Sequence, residues 1–351
     1  MSNNQTAFAG MFRAWAAILV GSAALGGPAA VRSDEPATLG TIERLDPAFD
    51  RLVPPEARVE RVAEGFNWSE GTIWDLAGDR LLFSDVPENV VFQWTKAGGT
   101  SVSLKPSGYT GATARGGEPG SNGLTFDEQG RLVLCQHGDR RIARLEADGK
   151  FVTLADRYEG KRLNSPNDGV YKSNGDFYFT DPPYGLLGEG RDQGKELAFN
   201  GVYRLKPDGT LTLLTRELTF PNGLAFSPDE KTLYVAVSDP KHAVWMAYDV
   251  EEDGTLGKGR IFADVTASVP GRKGLPDGLK VDLAGNVFAT GPGGVLVFAP
   301  DGKHLGTLAT GEACGNCAWG EDGTVLYIAS DMYLGRIQTA TRGAMPGVAR
   351  P

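Results

Sequence analysis

The chain has 351 residues, 41% of them hydrophobic and 23% charged, with a formal net charge of −9. This is an ordinary globular composition, long enough to bury one large core. The acidic balance argues against a nucleic-acid partner, because phosphate contacts need basic patches.

The N-terminus carries the pattern of an export signal. Arg13 supplies a positive start, residues 15–25 an apolar stretch, and Ala29 and Ala30 small residues near a cleavage point. The apolar run is shorter than the roughly 20 residues that span a bilayer. Residues 1–31 therefore read as a signal peptide and lead-in, with no stable membrane span after its removal and a periplasmic or secreted destination. Residues 32–57 are polar and Pro-containing, with little periodicity. Residues 58–63, Arg-Val-Glu-Arg-Val-Ala, alternate as one edge strand.

From there the chain repeats itself. An oxygen-bearing residue precedes a short apolar strand, then a turn and a second strand. Glu70-Gly71-Thr72-Ile73-Trp74, Asn122-Gly123-Leu124, Asn167-Asp168-Gly169, Asn222-Gly223-Leu224, Asp277-Gly278-Leu279 and Asn316-Cys317-Ala318 begin the copies, spaced by 52, 45, 55, 55 and 39 residues. A period near 40–50 residues with several strands per unit is the signature of a β-propeller. The reading is all-β: a six-bladed propeller over residues 58–340 around a central channel, with a tail at 341–351. The sixth unit is one strand short, and the strand at 58–63 is expected to complete it. The segments 104–120 and 185–200 interrupt the rhythm as long connections that could overhang one mouth.

In a propeller the innermost strands line the channel, so Glu70, Asn122, Asn167, Asn222, Asp277 and Asn316 should converge. An all-oxygen set with two carboxylates suits a hard divalent cation, whereas zinc favours His and Cys. The competing reading is that each Asn-Gly or Asp-Gly is only a turn; recurrence at one phase, and a Glu in the first copy, favour the cation. Pro166 stiffens the turn that delivers Asn167, and Asp181 is expected to fix it. Trp74, Phe126, Phe226 and Trp319 read as packing between blades. Cys314 and Cys317 are spaced for metal or redox chemistry, but burial as small apolar residues explains them equally well. No Gly-x-Ser-x-Gly elbow occurs, which disfavours a serine hydrolase.

Together, Glu70-Gly-x-x-Trp74, Ser165-Pro-Asn-Asp-Gly169, Phe179-Thr-Asp-Pro-Pro-Tyr-Gly185, Pro221-Asn-Gly-Leu-Ala-Phe-Ser-Pro-Asp229 and Leu275-Pro-Asp-Gly278 resemble the gluconolactonase / senescence marker protein (regucalcin) / luciferin-regenerating enzyme-like family over roughly residues 58–335. The resemblance implies a six-bladed propeller with one divalent cation in its channel, calcium first, with magnesium, manganese or zinc as alternatives. It places the metal ligands on Glu70, Asn222 and Asp277, with Asn167 contacting substrate and approaching the metal. Some animal members carry arginine where this chain has Ser165, so the sugar contacts differ here. The implied activity is opening of a sugar lactone, a small-molecule substrate, to its aldonic acid, with Asp277 as general base and Glu70 as a pure ligand. Tyr184 and His137 join Asn167 and Ser165 as candidate substrate contacts; for His137 a hydrogen-bonded turn is the competing role. A non-catalytic propeller whose metal only ties the blades together, or a hydrolase of another ester, are the alternatives. The oligomeric state stays open.

Overall fold

The computed structural model describes residues 37–346. The signal peptide assigned to 1–31, the start of the polar segment and the last residues of the tail lie outside the described residues. Six antiparallel sheets follow one another along the chain. Their innermost strands are Ser69–Asp75, Ser121–Phe126, Gly169–Tyr171, Pro221–Phe226, Leu279–Val281 and Cys314–Gly320. Each packs on the next, and the sixth meets the first, so the sheets form the six blades of a propeller. No helix among the described residues is long and apolar enough to cross a membrane.

The ring closes as the repeat count requires. Glu60–Glu64 pairs antiparallel with Tyr333–Gln338 and becomes the outer strand of blade 6, with Arg336 Nε donating to Glu60 at 2.8 Å. The segment before it is more ordered than its polarity suggests. Thr41–Arg44 adds a fifth strand to blade 5 along His304–Ala309. Asp46 then caps a 3-10 helix, Pro47–Arg51, by accepting from Ala48 N at 2.8 Å. Phe49 and Val53 anchor this segment in the core, both fully buried. Isolated apolar residues in a polar stretch produce no period, which is why the lead-in reads as unstructured.

Aromatic rings join the blades. Trp74 stacks on Tyr327 of blade 6 at 5.3 Å, Phe226 meets Tyr178 of blade 3 at 4.9 Å, and Trp319 meets Phe288 of blade 5 at 4.8 Å. Phe126 packs against Ile73 and Leu82 of blade 1. The glycines of the repeat have a separate cause. A Cβ on Gly71 would lie 1.8 Å from Asn122 O, and one on Gly223 would lie 2.4 Å from Asp277 O. At Gly71 and Gly223 the missing Cβ therefore admits the backbone of the next blade, and Gly71 also takes a left-handed φ of +54°. All three cysteines are buried free thiols; burial pushes Cys314 up to about 11 and Cys317 to about 12, as inert packing groups behave.

Candidate active site

Bulges aim the lead residues into the channel. In blades 1, 2 and 4 the innermost strand slips register immediately after Glu70, Ser121 and Pro221, so an extra residue is accommodated where the polar side chain must turn inward. In blade 3 a turn does this work. Asp181 accepts from Asn164 N and Ser165 N, both at 2.8 Å, and Asn167 N donates to Thr180 O at 2.9 Å. Burial pushes the Asp181 carboxyl up to about 7, against the pull of those two amides.

At one mouth the strands enclose a cavity of about 490 Å³ whose wall includes Glu70, Asn122, Asn167, Asn222 and Asp277. Glu70 is fixed at both oxygens: Oε1 accepts from Trp68 Nε1 at 3.3 Å and Oε2 from Gly71 N at 3.1 Å. Asn222 Nδ2 donates to Ser238 Oγ at 2.9 Å, which leaves its oxygen as the free end. Asn167 Oδ1 is buried without a partner, as is the Tyr184 hydroxyl.

The electrostatics are those of an anionic site awaiting a countercharge. Burial pushes Glu70 up to about 8, reinforced by Asp168 and Glu118. Asp277 is raised well above the carboxylate range by burial, then by Glu70, Asp168 and Glu118. The largest charge effects on both come from other carboxylates. No group of three or more His, Cys, Asp or Glu side chains suited to a metal occurs among the described residues. The donors at this mouth are instead the carboxylates of Glu70, Asp277 and Glu118 and amide oxygens, one of them orphaned, and a hard cation fits that set.

Three expectations change. Asn316 does not line this cavity. Gly278 N donates to Gly315 O as Gly123 N donates to Asn167 O. Gly315 therefore takes the place of Asn167, and Asn316 that of Asp168, one residue deeper in the channel. There Asn316 donates to Asp168 Oδ2 at 3.4 Å and accepts from Lys280 Nζ at 3.1 Å. Ser165 is fully buried and not a substrate contact: its hydroxyl donates to Pro182 O at 2.6 Å and accepts from Gly185 N at 2.9 Å. His137 is fully buried behind Asn167 and does not reach the cavity. Tyr184 does line it, as expected.

Sequence reasoning missed Glu118, which the 104–120 loop brings to the cavity wall, and Arg272 at its rim. Glu118 belongs to no repeat phase; the only signal was that its loop could overhang the mouth. Arg140 has a structural role behind this wall: its Nε donates to the carbonyls of Leu163 and Asn164 at 2.8 and 3.0 Å.

Comparison with known proteins agrees with this architecture. The chain is 39% identical over 313 residues to a gluconolactonase of Zymomonas mobilis, covering 87% of this chain and 88% of that one. The structure of a gluconolactonase from Xanthomonas campestris superposes with a TM-score of 0.76 at 36% identity, covering 88% of this chain and 99% of that one. The calcium-binding protein regucalcin from Agrobacterium tumefaciens shares the fold, with a TM-score of 0.65 at 19% identity over 83% of this chain and 97% of that one. The SMP-30/gluconolactonase/LRE-like region matches residues 68–332. The chain belongs to the SMP-30/gluconolactonase/LRE-like family.

Proposed function

We propose that this protein is a lactonase that opens a sugar lactone to its aldonic acid with the help of one divalent cation, calcium first. The observation that carries the reading is the pairing of Glu70 and Asp277, two uncompensated carboxylates, with two amides that have oxygens to give. Its relatives of known activity support lactone hydrolysis, and the all-oxygen donor set supports a hard cation. Glu70, Asn222 and Asp277 would hold the cation, with Asn167 beside them. The chemistry that the group supplies when bound is polarisation of the lactone carbonyl, worth several kcal/mol.

The chain's own groups divide the remaining work. Glu70 is pinned at both oxygens, so it suits a fixed ligand. Asp277 is held by the backbone N–H of Gly278, so it is freer than Glu70 and suits the base that takes a proton from the attacking water. It returns that proton to the ring oxygen as the C–O bond breaks. Tyr184, with its free hydroxyl, offers a hydrogen bond to a sugar hydroxyl, while Val269 and Leu275 give the cavity an apolar side.

The test is hydrolysis of glucono-δ-lactone by the chelated protein, before and after calcium, magnesium, manganese or zinc is restored, with spontaneous opening subtracted. Activity lost on chelation and restored by calcium is the expected result. A folded, calcium-loaded protein inactive on a panel of lactones would overturn the reading. Export remains a proposal supported by the pattern of residues 1–31, to be checked by sequencing the N-terminus of protein secreted from cells that make the full chain.

A further inference from the structure

Glu118, His137 and Asn167 form a row from the mouth loop to the cavity wall. His137 Nδ1 lies 3.2 Å from Glu118 Oε2, and the ring's Nε2 lies 3.5 Å from Asn167 Nδ2. The imidazole is fully buried; Nδ1 makes no well-aligned hydrogen bond, and Glu118 is the charged group beside it. A carboxylate oxygen at 3.2 Å repels a ring lone pair and attracts an N–H, so the ring hydrogen sits on Nδ1 and Nε2 keeps its lone pair. An acceptor at Nε2 draws the NH2 end of the Asn167 amide. The other end, Oδ1, then faces away from the ring, and it is the atom left buried without a partner at the cavity wall.

We propose that His137 is a positioning residue: with its Nδ1–H turned to the Glu118 carboxylate, it locks the Asn167 amide with its oxygen toward the cavity. The lock has a purpose at this mouth. Glu70 and Asp277 would attract the NH2 of a freely turning amide, which would then stand where a cation or a substrate hydroxyl is to be received. The row also ties the 104–120 loop to the site, since Glu118 both lines the cavity and backs the ring. The kinetic consequence rests on the lactonase reading; the geometry does not.

The experiment therefore has an arm that needs no activity. Long-range proton–nitrogen NMR of the metal-free, ¹⁵N-labelled protein reads each histidine's tautomer. The chain has three, His137, His242 and His304, so His242→Gln and His304→Gln assign His137 by elimination. The expected result is hydrogen on Nδ1; hydrogen on Nε2 overturns the proposal whether or not any lactone is turned over.

The second arm compares His137→Leu with His137→Gln, whose amide oxygen can stand near the place of Nε2. Each is made alone and over Asn167→Ala, and each is read by kcat/KM on glucono-δ-lactone and by calcium affinity in calorimetry. Leu is expected to lose about 10- to 100-fold, the usual cost of removing a partner behind a ligand. Gln is expected to recover most of that loss, and Leu to add nothing once Asn167 is gone. Equal losses for Leu and Gln, or a Leu effect that persists in full over Asn167→Ala, would make His137 a packing residue only and overturn the proposal.

Discussion

The two ends of the channel are made from the same repeat, yet one holds its own countercharge and the other does not. At the inner end Asp168 accepts from Asn316, which in turn accepts from Lys280, and the Lys280 charge is the strongest pull down on an Asp168 carboxyl that burial still leaves raised. At the mouth Glu70 and Asp277 stand at the first residue of the same phase, and the largest charge effects on them come from other carboxylates. Buried charges are tolerated when they are paired or coordinate a metal. The inner end pairs its charge with a lysine. The mouth leaves the pairing to a group from outside, and that difference separates structure from site within one repeat.

The sharpest way to break the comparison is Asp277→Asn. It keeps the shape and removes the base, so kcat should fall by about 10²- to 10⁴-fold, read by initial rates with calcium in excess. Retention of most of the activity would move the proton transfer to another group and end the division of roles between Glu70 and Asp277.

Removing the cation should expose the uncompensated charge as a pH effect. Glu70 has a folded pKa of about 8 against an ordinary 4.5, so between those values the folded state binds more protons than the unfolded one. Stability of the chelated protein must therefore fall as pH rises through that window, by up to about 1.4 kcal/mol per pH unit for one such group. Urea unfolding at pH 5 and pH 8 reads it. Saturating calcium should flatten the fall, and Glu70→Gln should lessen it without calcium, leaving the part that Asp277 contributes. A chelated protein that is more stable at pH 8 than at pH 5 would contradict the electrostatics of the mouth.

Lys280→Met tests the other end. It leaves Asp168 and Asn316 without their cation and should cost about 1–3 kcal/mol of stability, the usual penalty for stranding a buried polar partner. Lactone turnover at saturating calcium should stay near that of the unaltered protein. Should activity fall as far as in Asp277→Asn, the two ends act as one site.

Much of this contrast was legible in the sequence, because six copies of an apolar two-strand unit at one spacing leave few architectures open. The closing strand was legible for the same reason: an alternating segment preceded a ring one strand short. Reading five lead residues into one cavity also succeeded, although the Gly beside them serves blade-to-blade approach. The sixth failed by a single residue. Cys314-Gly315-Asn316 puts the glycine before the amide where the other copies put it after, and one step along a strand turns a side chain to the other face. Glu118 and Ser165 were illegible for another reason. A loop residue's direction is set by contacts distant in sequence, such as Arg115 donating to Gly138 O at 3.1 Å near Glu118 and the Pro182 carbonyl above Ser165.

The smallest effect tests how far the mouth extends. Arg272 at the cavity rim is held by Glu43 at 2.9 Å, and Glu43 lies on the strand that the polar lead-in concealed. Both side chains are well exposed, so Glu43→Gln should change stability by less than about 1 kcal/mol. It frees a guanidinium at the cavity rim, so KM should shift by a few-fold while kcat holds. The reacting atoms belong beside Glu70 and Asp277, and a rim charge contributes to binding the substrate and its transition state alike. A large loss of kcat in this variant would mean that the rim reaches the carboxylates, and the mouth would then have a countercharge of its own.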